Sequence, residues 1–309
     1  MRLFSGSSHP ALAQALAKEL GMTLGKMTLK SFSCGELYVK FDESIRGQDI
    51  YILQTGTCHP NRDIIELCLM CQAAKLSFAK TVHIIVPHFP YSRQDRVTEP
   101  REPISAKMMA QLLETAGADH VMVLDLHSDQ IQGFFRIPAD ALFARPIFTE
   151  YFQKKKLAHP VVVAPDVGGA KRAKKFADLL GAELAILHKN RPKHQHAEIC
   201  EVVGDVNGKT CILFDDIIDT AGTLLSAKKA LLERGAHPDV YAAATHAVFS
   251  GPAIERLTEA DFKEVVVSDS IPHDPGILPS LTILPIAPLL AKVIRQIESG
   301  QSVTDIYKK

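Results

Sequence analysis

The sequence predicts an α/β protein with two similar domains, each built on a mainly parallel sheet. Three observations carry this. Short runs rich in Val and Ile alternate with helical stretches, the mark of repeated β-α units. Those runs are apolar almost without interruption, as in strands covered on both faces. The chain has 309 residues, about twice the usual length of a single domain.

The elements follow in order. The opening MRLFSGSSHPALAQALAKELG reads as a short strand, a polar turn and an amphipathic helix. Strands are expected at DIYILQ (49–54), TVHIIVPHF (81–89), HVMVLDLH (120–127) and PVVVAPD (160–166). Four more are expected at AELAIL (182–187), KTCILFDD (209–216), VYAAATHAV (240–248) and EVVVSDS (264–270). Ala106–Ala116 and Thr223–Arg234 are the clearest helices. RGQDIYILQ leads through a helix to TVHIIVPHF, and NGKTCILFD leads through a helix to DVYAAATHAVF. This echo predicts one domain type duplicated, with domains at 1–144 and 145–286. The tail 287–309 begins after prolines and becomes a helix able to return to the first domain. PYSRQDRVTEPREPIS (90–105) and HKNRPKHQHAE (188–198) lack an apolar face and concentrate positive charge. They are read as loops, and such loops often carry function.

Composition narrows the function classes. Lysine plus arginine number 35, as do aspartate plus glutamate, and apolar residues make up 46%. That balance excludes disordered and collagen-like chains. It gives no bulk positive charge for nucleic acid, so no nucleic-acid partner is expected. No apolar run approaches the roughly 20 residues of a membrane span, and the start lacks the apolar core of a secretory signal. Cys68 and Cys71 form a C-x-x-C inside the helical pattern IIELCLMCQAAK, without a second pair to complete a zinc site. They are expected to be free thiols, and the protein cytoplasmic.

The strongest chemical signal is CILFDDIIDTAGTLLSAKKALL (211–232). An apolar strand ends in Asp215 and Asp216. The loop Asp219-Thr220-Ala221-Gly222-Thr223 follows, and then a helix. A helix start offers free amide N–H groups and the positive end of the helix dipole, which together suit an anion. Gly222 allows close backbone approach, and Thr220 and Thr223 add hydroxyls. The aspartates repel a phosphate but suit sugar hydroxyls or a metal. Ribose 5-phosphate presents that combination. The plainer alternative is an ordinary N-cap at Asp219 or Thr220. Gly204–Thr210 imitates a phosphate-binding P-loop but precedes a strand, so it is read as a turn. Asp125, His127 and Asp129 alternate near a strand end, and they share a face if the extended geometry continues.

The motif DDIIDTAGT resembles the phosphoribosyl diphosphate site of type I phosphoribosyltransferases and of the ribose-phosphate diphosphokinase family. PHFPYSRQDR, ISAKMMAQLLETAGADHV, DLHSDQIQGFF, APDVGGAKRA and HKNRP occur in the order and spacing of the latter. The resemblance spans essentially the whole chain. It implies two type I phosphoribosyltransferase-like domains with the active site between them. It also implies transfer of the β,γ-diphosphoryl group of ATP to the C1 hydroxyl of ribose 5-phosphate, giving phosphoribosyl diphosphate and AMP.

By that resemblance Lys189 and Arg191 are the catalytic cations. Arg191, Asp215, Asp216 and Asp219–Thr223 hold ribose 5-phosphate. Phe32, Cys34, Gly35, Glu36, Arg93, Gln94 and His127 bind ATP, with Cys34 where the family commonly has Asp or Asn. His127 and Asp166 stand at the Mg²⁺ positions, although hard Mg²⁺ prefers oxygen ligands. Asp166, Val167, Gly168 and Gly169 form the diphosphate loop. Ser44, Arg46, Arg101 and Gln132 match parts of an allosteric site where relatives take inorganic phosphate as activator. Arg136 replaces an acid common in relatives near that site. A homo-oligomer, a hexamer built from dimers, is implied. Two rival readings are a non-catalytic relative that regulates a true synthetase and a phosphoribosyltransferase. The intact cation loop opposes the first; the R-Q-D loop and the length oppose the second.

Overall fold

A computed structural model describes residues 1–190 and 199–307. The chain forms two compact units. The first comprises Met1–Phe143, Ser270–Pro272 and the stretch from Pro285 onward; the second comprises Ala144–Asp269 and His273–Leu284.

The first unit is built on a parallel sheet of β1 (Arg2–Ser5), β4 (Asp49–Leu53), β5 (Thr81–Val86), β6 (His120–Leu124) and β7 (Ala139–Leu142), hydrogen-bonded in that order. The apolar runs make this sheet's core: Ile50, Ile52, Val82, Ile84, Val121 and Val123 are all buried. Helices α1 (Pro10–Leu20), α2 (Pro60–Leu76) and α3 (Ser105–Ala116) connect the strands. Helix α8 (Ala287–Glu298) packs on α1, and Tyr51 Oη donates to Glu298 at 2.8 Å. A hairpin of β2 (Met27–Ser31) and β3 (Leu37–Phe41) forms a separate antiparallel pair.

The second unit orders its strands β10 (Ile199–Val203), β9 (Glu183–Asn190), β8 (Pro160–Ala164), β11 (Thr210–Ile218), β12 (Tyr241–Ala247), β13 (Glu264–Ser268) and β14 (Leu281–Leu284). Only the β9–β10 pairing is antiparallel. Helices α4 (Arg145–Lys155), α5 (Ala170–Leu180), α6 (Gly222–Glu233) and α7 (Ala253–Ala260) complete it. Val161, Val163, Leu213, Ala242, Ala244, Val265 and Val267 lie in its core with Leu224 and Leu231 of α6. The fold is therefore α/β with mainly parallel sheets.

One expected loop departs from the sequence reading. The stretch 188–198 is not loop throughout, because His188–Asn190 continue β9, where backbone pairing with Cys200 and Glu201 extends the strand. Residues 204–210 do lead into β11 and not into a helix. Cys68 and Cys71 lie on α2 as free thiols. Burial pushes the Cys68 thiol up to about 11 and raises Cys71 further. Among the described residues no helix is long and apolar enough to cross a membrane.

Candidate active site

Strand β11 delivers the carboxylates. It remains in the sheet to Ile218, where it pairs with Ala247 of β12. Asp216 is buried and Asp215 half-buried. Arg172, on the first turn of α5, lies against both: Nη1 is 2.7 Å from Asp216 Oδ1 and 3.3 Å from Asp215 Oδ1. The Asp216 amide donates to Asp215 Oδ1 at 2.9 Å. Burial, and then the adjacent Asp216 carboxylate, push the Asp215 carboxyl well above the usual range; Arg172 opposes this without reversing it. One guanidinium shared by two acids leaves an acceptor-rich pair suited to hydroxyl donors.

The loop beyond β11 is an open anion cradle. Helix α6 begins at Gly222, and its N-cap is Ala221, held at φ 58° with no side-chain cap bond. The N-cap position thus falls on Ala221 and not on Asp219 or Thr220, and the positive end of the α6 dipole faces this loop. The backbone carbonyls of the loop are engaged elsewhere. Ile218 O accepts from Val248 and Phe249 amides at 2.9 and 3.1 Å, and Asp219 O accepts from the Ser250 amide at 3.1 Å. Ser250 Oγ donates to the Asp219 carboxylate. Thr220 O accepts from Arg256 Nη1 at 3.0 Å. Thr220 is exposed.

A second loop of the same unit, Asp166–Gly169, joins β8 to α5. Asp166 Oδ1 accepts from the Gly169 amide at 2.8 Å, which curls the loop. A Cβ at Gly168 would stand 3.2 Å from that same oxygen, so the bare backbone keeps the turn tight. Asp166 is exposed and its second oxygen faces no such constraint. Lys189 lies in β9, its backbone paired with Cys200. Arg191, with His194 and His196, falls outside the described residues.

The remaining candidates belong to the first unit. Phe32, Cys34, Gly35 and Glu36 sit together at the tip of the β2–β3 hairpin, all exposed. The tip is closed by Phe32 N to Glu36 O at 2.8 Å and Gly35 N to Phe32 O at 2.9 Å. Phe32 meets Tyr38 edge-on, with ring centroids 5.8 Å apart. Arg93 and Gln94 lie in an exposed turn before α3, and Gln94 Oε1 accepts from Ser105 Oγ, leaving its amide donors toward solvent. The shared face expected of Asp125, His127 and Asp129 does not form. β6 ends at Leu124, and Asp125, at φ 39°, breaks the extended geometry. Asp125 is buried, whereas His127 and Asp129 are exposed.

Ser44, Arg46, Arg101 and Gln132 are all exposed. Arg46 lies over the Phe78 ring at 4.4 Å, Gln132 donates to Ala139 O, and Arg101 adopts φ 77°. Among the described residues no group of three or more His, Cys, Asp or Glu side chains is arranged to hold a metal ion.

Sequence reasoning missed Arg172, Ser250 and Arg256. Arg172 stands within the quoted APDVGGAKRA, where its distance from Asp215 hid the pairing. Ser250 and Arg256 carry no local signal; only the β11–β12 register brings SGPAIER beside the loop.

Comparisons with known proteins establish the family. Residues 1–117 match the N-terminal domain of ribose phosphate pyrophosphokinase, and residues 192–308 match the phosphoribosyl synthetase-associated domain. The chain is 48% identical to the ribose-phosphate pyrophosphokinase of Oceanobacillus iheyensis over 309 residues, covering 99% of this chain and 97% of that protein. The Bacillus subtilis protein of the same name is also 48% identical, with the same coverage. A crystal structure of phosphoribosylpyrophosphate synthetase from Mycobacterium smegmatis superposes with a TM-score of 0.91 at 45% identity, covering 97% of this chain and 99% of that one. With its strand-end carboxylates and uncapped helix start, this chain belongs to the ribose-phosphate pyrophosphokinase family.

Proposed function

We propose that the protein is a ribose-phosphate diphosphokinase. It moves the β,γ-diphosphoryl group of ATP onto the C1 hydroxyl of ribose 5-phosphate and releases phosphoribosyl diphosphate and AMP, for nucleotide and amino-acid biosynthesis. The observation that carries this reading is the uncapped start of α6 beside the Asp215–Asp216 pair. The 5-phosphate lies on the amides of Thr220–Thr223, where the helix dipole favours its charge. Asp215 and Asp216 take the ring hydroxyls, and Arg172 keeps the two acids together.

The C1 hydroxyl attacks the β-phosphorus in line. Such a transfer asks the protein for alignment and charge neutralisation rather than covalent chemistry. Lys189 and Arg191 supply the positive charge on the migrating group. The amides of Val167 and Gly168 receive its oxygens, while the Gly169 amide holds Asp166. Phe32 offers a face to the adenine, Glu36 and Gln94 hydrogen-bond the nucleotide, and Arg93 forks onto phosphate or stacks.

ATP enters with Mg²⁺ as part of the substrate. Mg²⁺ keeps water and phosphate oxygens in its shell and needs few protein ligands. The free oxygen of Asp166 fits that demand, with His127 as the other matched position. Inorganic phosphate acts as an activator through Ser44, Arg46, Arg101 and Gln132. The enzyme works in the cytoplasm as a homo-oligomer, a hexamer built from dimers.

The test supplies purified protein with ATP, ribose 5-phosphate, Mg²⁺ and phosphate, and measures AMP and phosphoribosyl diphosphate. Lys189→Ala should lower turnover about 10²–10³-fold, the scale of losing one transition-state charge contact. Folded wild-type protein making no more product than this variant would sink the reading.

A further inference from the structure

The carbonyls of the anion loop show how its amides are aimed. The loop peptides are trans, so each C=O points opposite to the N–H that follows it. Three consecutive carbonyls, of Ile218, Asp219 and Thr220, are drawn toward the segment 248–256. The amides of Asp219, Thr220 and Ala221 are therefore turned the other way. The first two carbonyls are held by backbone donors, Val248, Phe249 and Ser250, whose position follows from the β11–β12 register. The third is held by a side chain, Arg256 of α7.

That third peptide is the vulnerable one. It links Thr220 to Ala221, a non-glycine residue at φ 58°. The left-handed region is unfavourable for alanine, so the bare chain would tend to relax out of it. The Arg256 guanidinium also stands 3.3 Å from where a Cβ on Gly222 would lie. It thus occupies the back of the cradle and adds positive charge there.

We infer that Arg256 is a positioning residue for ribose 5-phosphate: its guanidinium fixes the Thr220–Ala221 peptide so that the Ala221 amide faces the phosphate. This deepens the proposed function and rests on its reading of the loop. Arg256 acts through the backbone and does not touch the reacting atoms.

The experiment compares wild type with Arg256→Met, which keeps an apolar stem without donor or charge, and Arg256→Lys, which keeps one donor and the charge. Arg256→Met should raise KM for ribose 5-phosphate about tenfold, the worth of one charge-assisted hydrogen bond. Its kcat and its KM for ATP should stay within about twofold of wild type, because uniform binding energy is what is lost. Arg256→Lys should recover part of the affinity. Hydrogen exchange of a peptide spanning 218–225 should accelerate in substrate-free Arg256→Met and not elsewhere in the unit. An unchanged KM for ribose 5-phosphate, or a loss confined to kcat, would overturn the inference while product formation by wild type leaves the proposed function standing. Inert wild-type protein would instead overturn the proposed function, and the exchange rate of the 218–225 peptide would then decide the clamp by itself.

Discussion

The loop after β11 and the tip of the β2–β3 hairpin both present candidate substrate residues, yet they are built in opposite ways. The loop is braced from outside itself: three of its carbonyls and the Asp219 carboxylate take hydrogen bonds from residues 248–256. The hairpin tip is closed by bonds between its own residues, Phe32 N to Glu36 O and Gly35 N to Phe32 O. The first arrangement fixes a set of amides before any ligand arrives, which favours binding through reduced ordering cost. The second presents exposed side chains on a turn, where each residue can change with little effect on the rest. Backbone recognition and side-chain recognition therefore predict different mutational behaviour.

The largest expected break in that comparison is Gly222→Val. The added side chain would crowd Arg256 Nη1, which already lies 3.3 Å from an ideal Cβ, and would push it off Thr220 O, shifting the loop. A displacement of about 1 Å at a reacting substrate can cost about 10²-fold, so kcat/KM for ribose 5-phosphate should fall on that order. KM for ATP, measured in the same assays, should hardly move. An equal rise in both would mean that the loop is not a separate cradle.

Phe32→Ala probes the other region. An aromatic face under a base contributes about 1–3 kcal/mol, so KM for ATP should rise about tenfold while KM for ribose 5-phosphate stays put. Phe32 is exposed, and the melting temperature should change little. A collapse in stability would show the hairpin tip to be structural.

The smallest effect concerns what the braced loop demands of its surroundings. Asp215 is raised above its ordinary value of 3.8 by burial and by Asp216. For an acid raised on folding, the unfolded chain releases its proton first as pH climbs. Stability is therefore lost as pH rises from that ordinary value through the elevated one. Asp215→Asn should melt a few degrees above wild type at pH 8, with the difference shrinking toward about pH 4. Thermal melts across that range provide the check, and a variant less stable at pH 8 would refute the sign.

Much of this was legible in residue patterns. The apolar runs at 81–86, 160–164 and 210–218 specified strands because parallel, doubly covered strands need continuous apolar side chains. The hairpin was not legible as strands, since MTLKS and LYVKF are only half-buried and carry no such run. DDIIDTAGT announced an anion site because acids, threonines and glycine rarely meet at a strand end for another reason. The face expected of Asp125, His127 and Asp129 failed because one residue, Asp125, leaves the extended region. A single dihedral angle has no reliable signature in side-chain alternation.

The sequence by itself determined the α/β class, the strand-to-helix turn and the chemical character of its residues, because these depend on neighbours along the chain. Only the tertiary structure decided that Ala221 rather than Asp219 or Thr220 caps α6, that Arg172 joins the two aspartates, and that Arg256 reaches Thr220. Those contacts link residues more than 35 positions apart, and the register of strands pairing in space, not proximity along the chain, sets them.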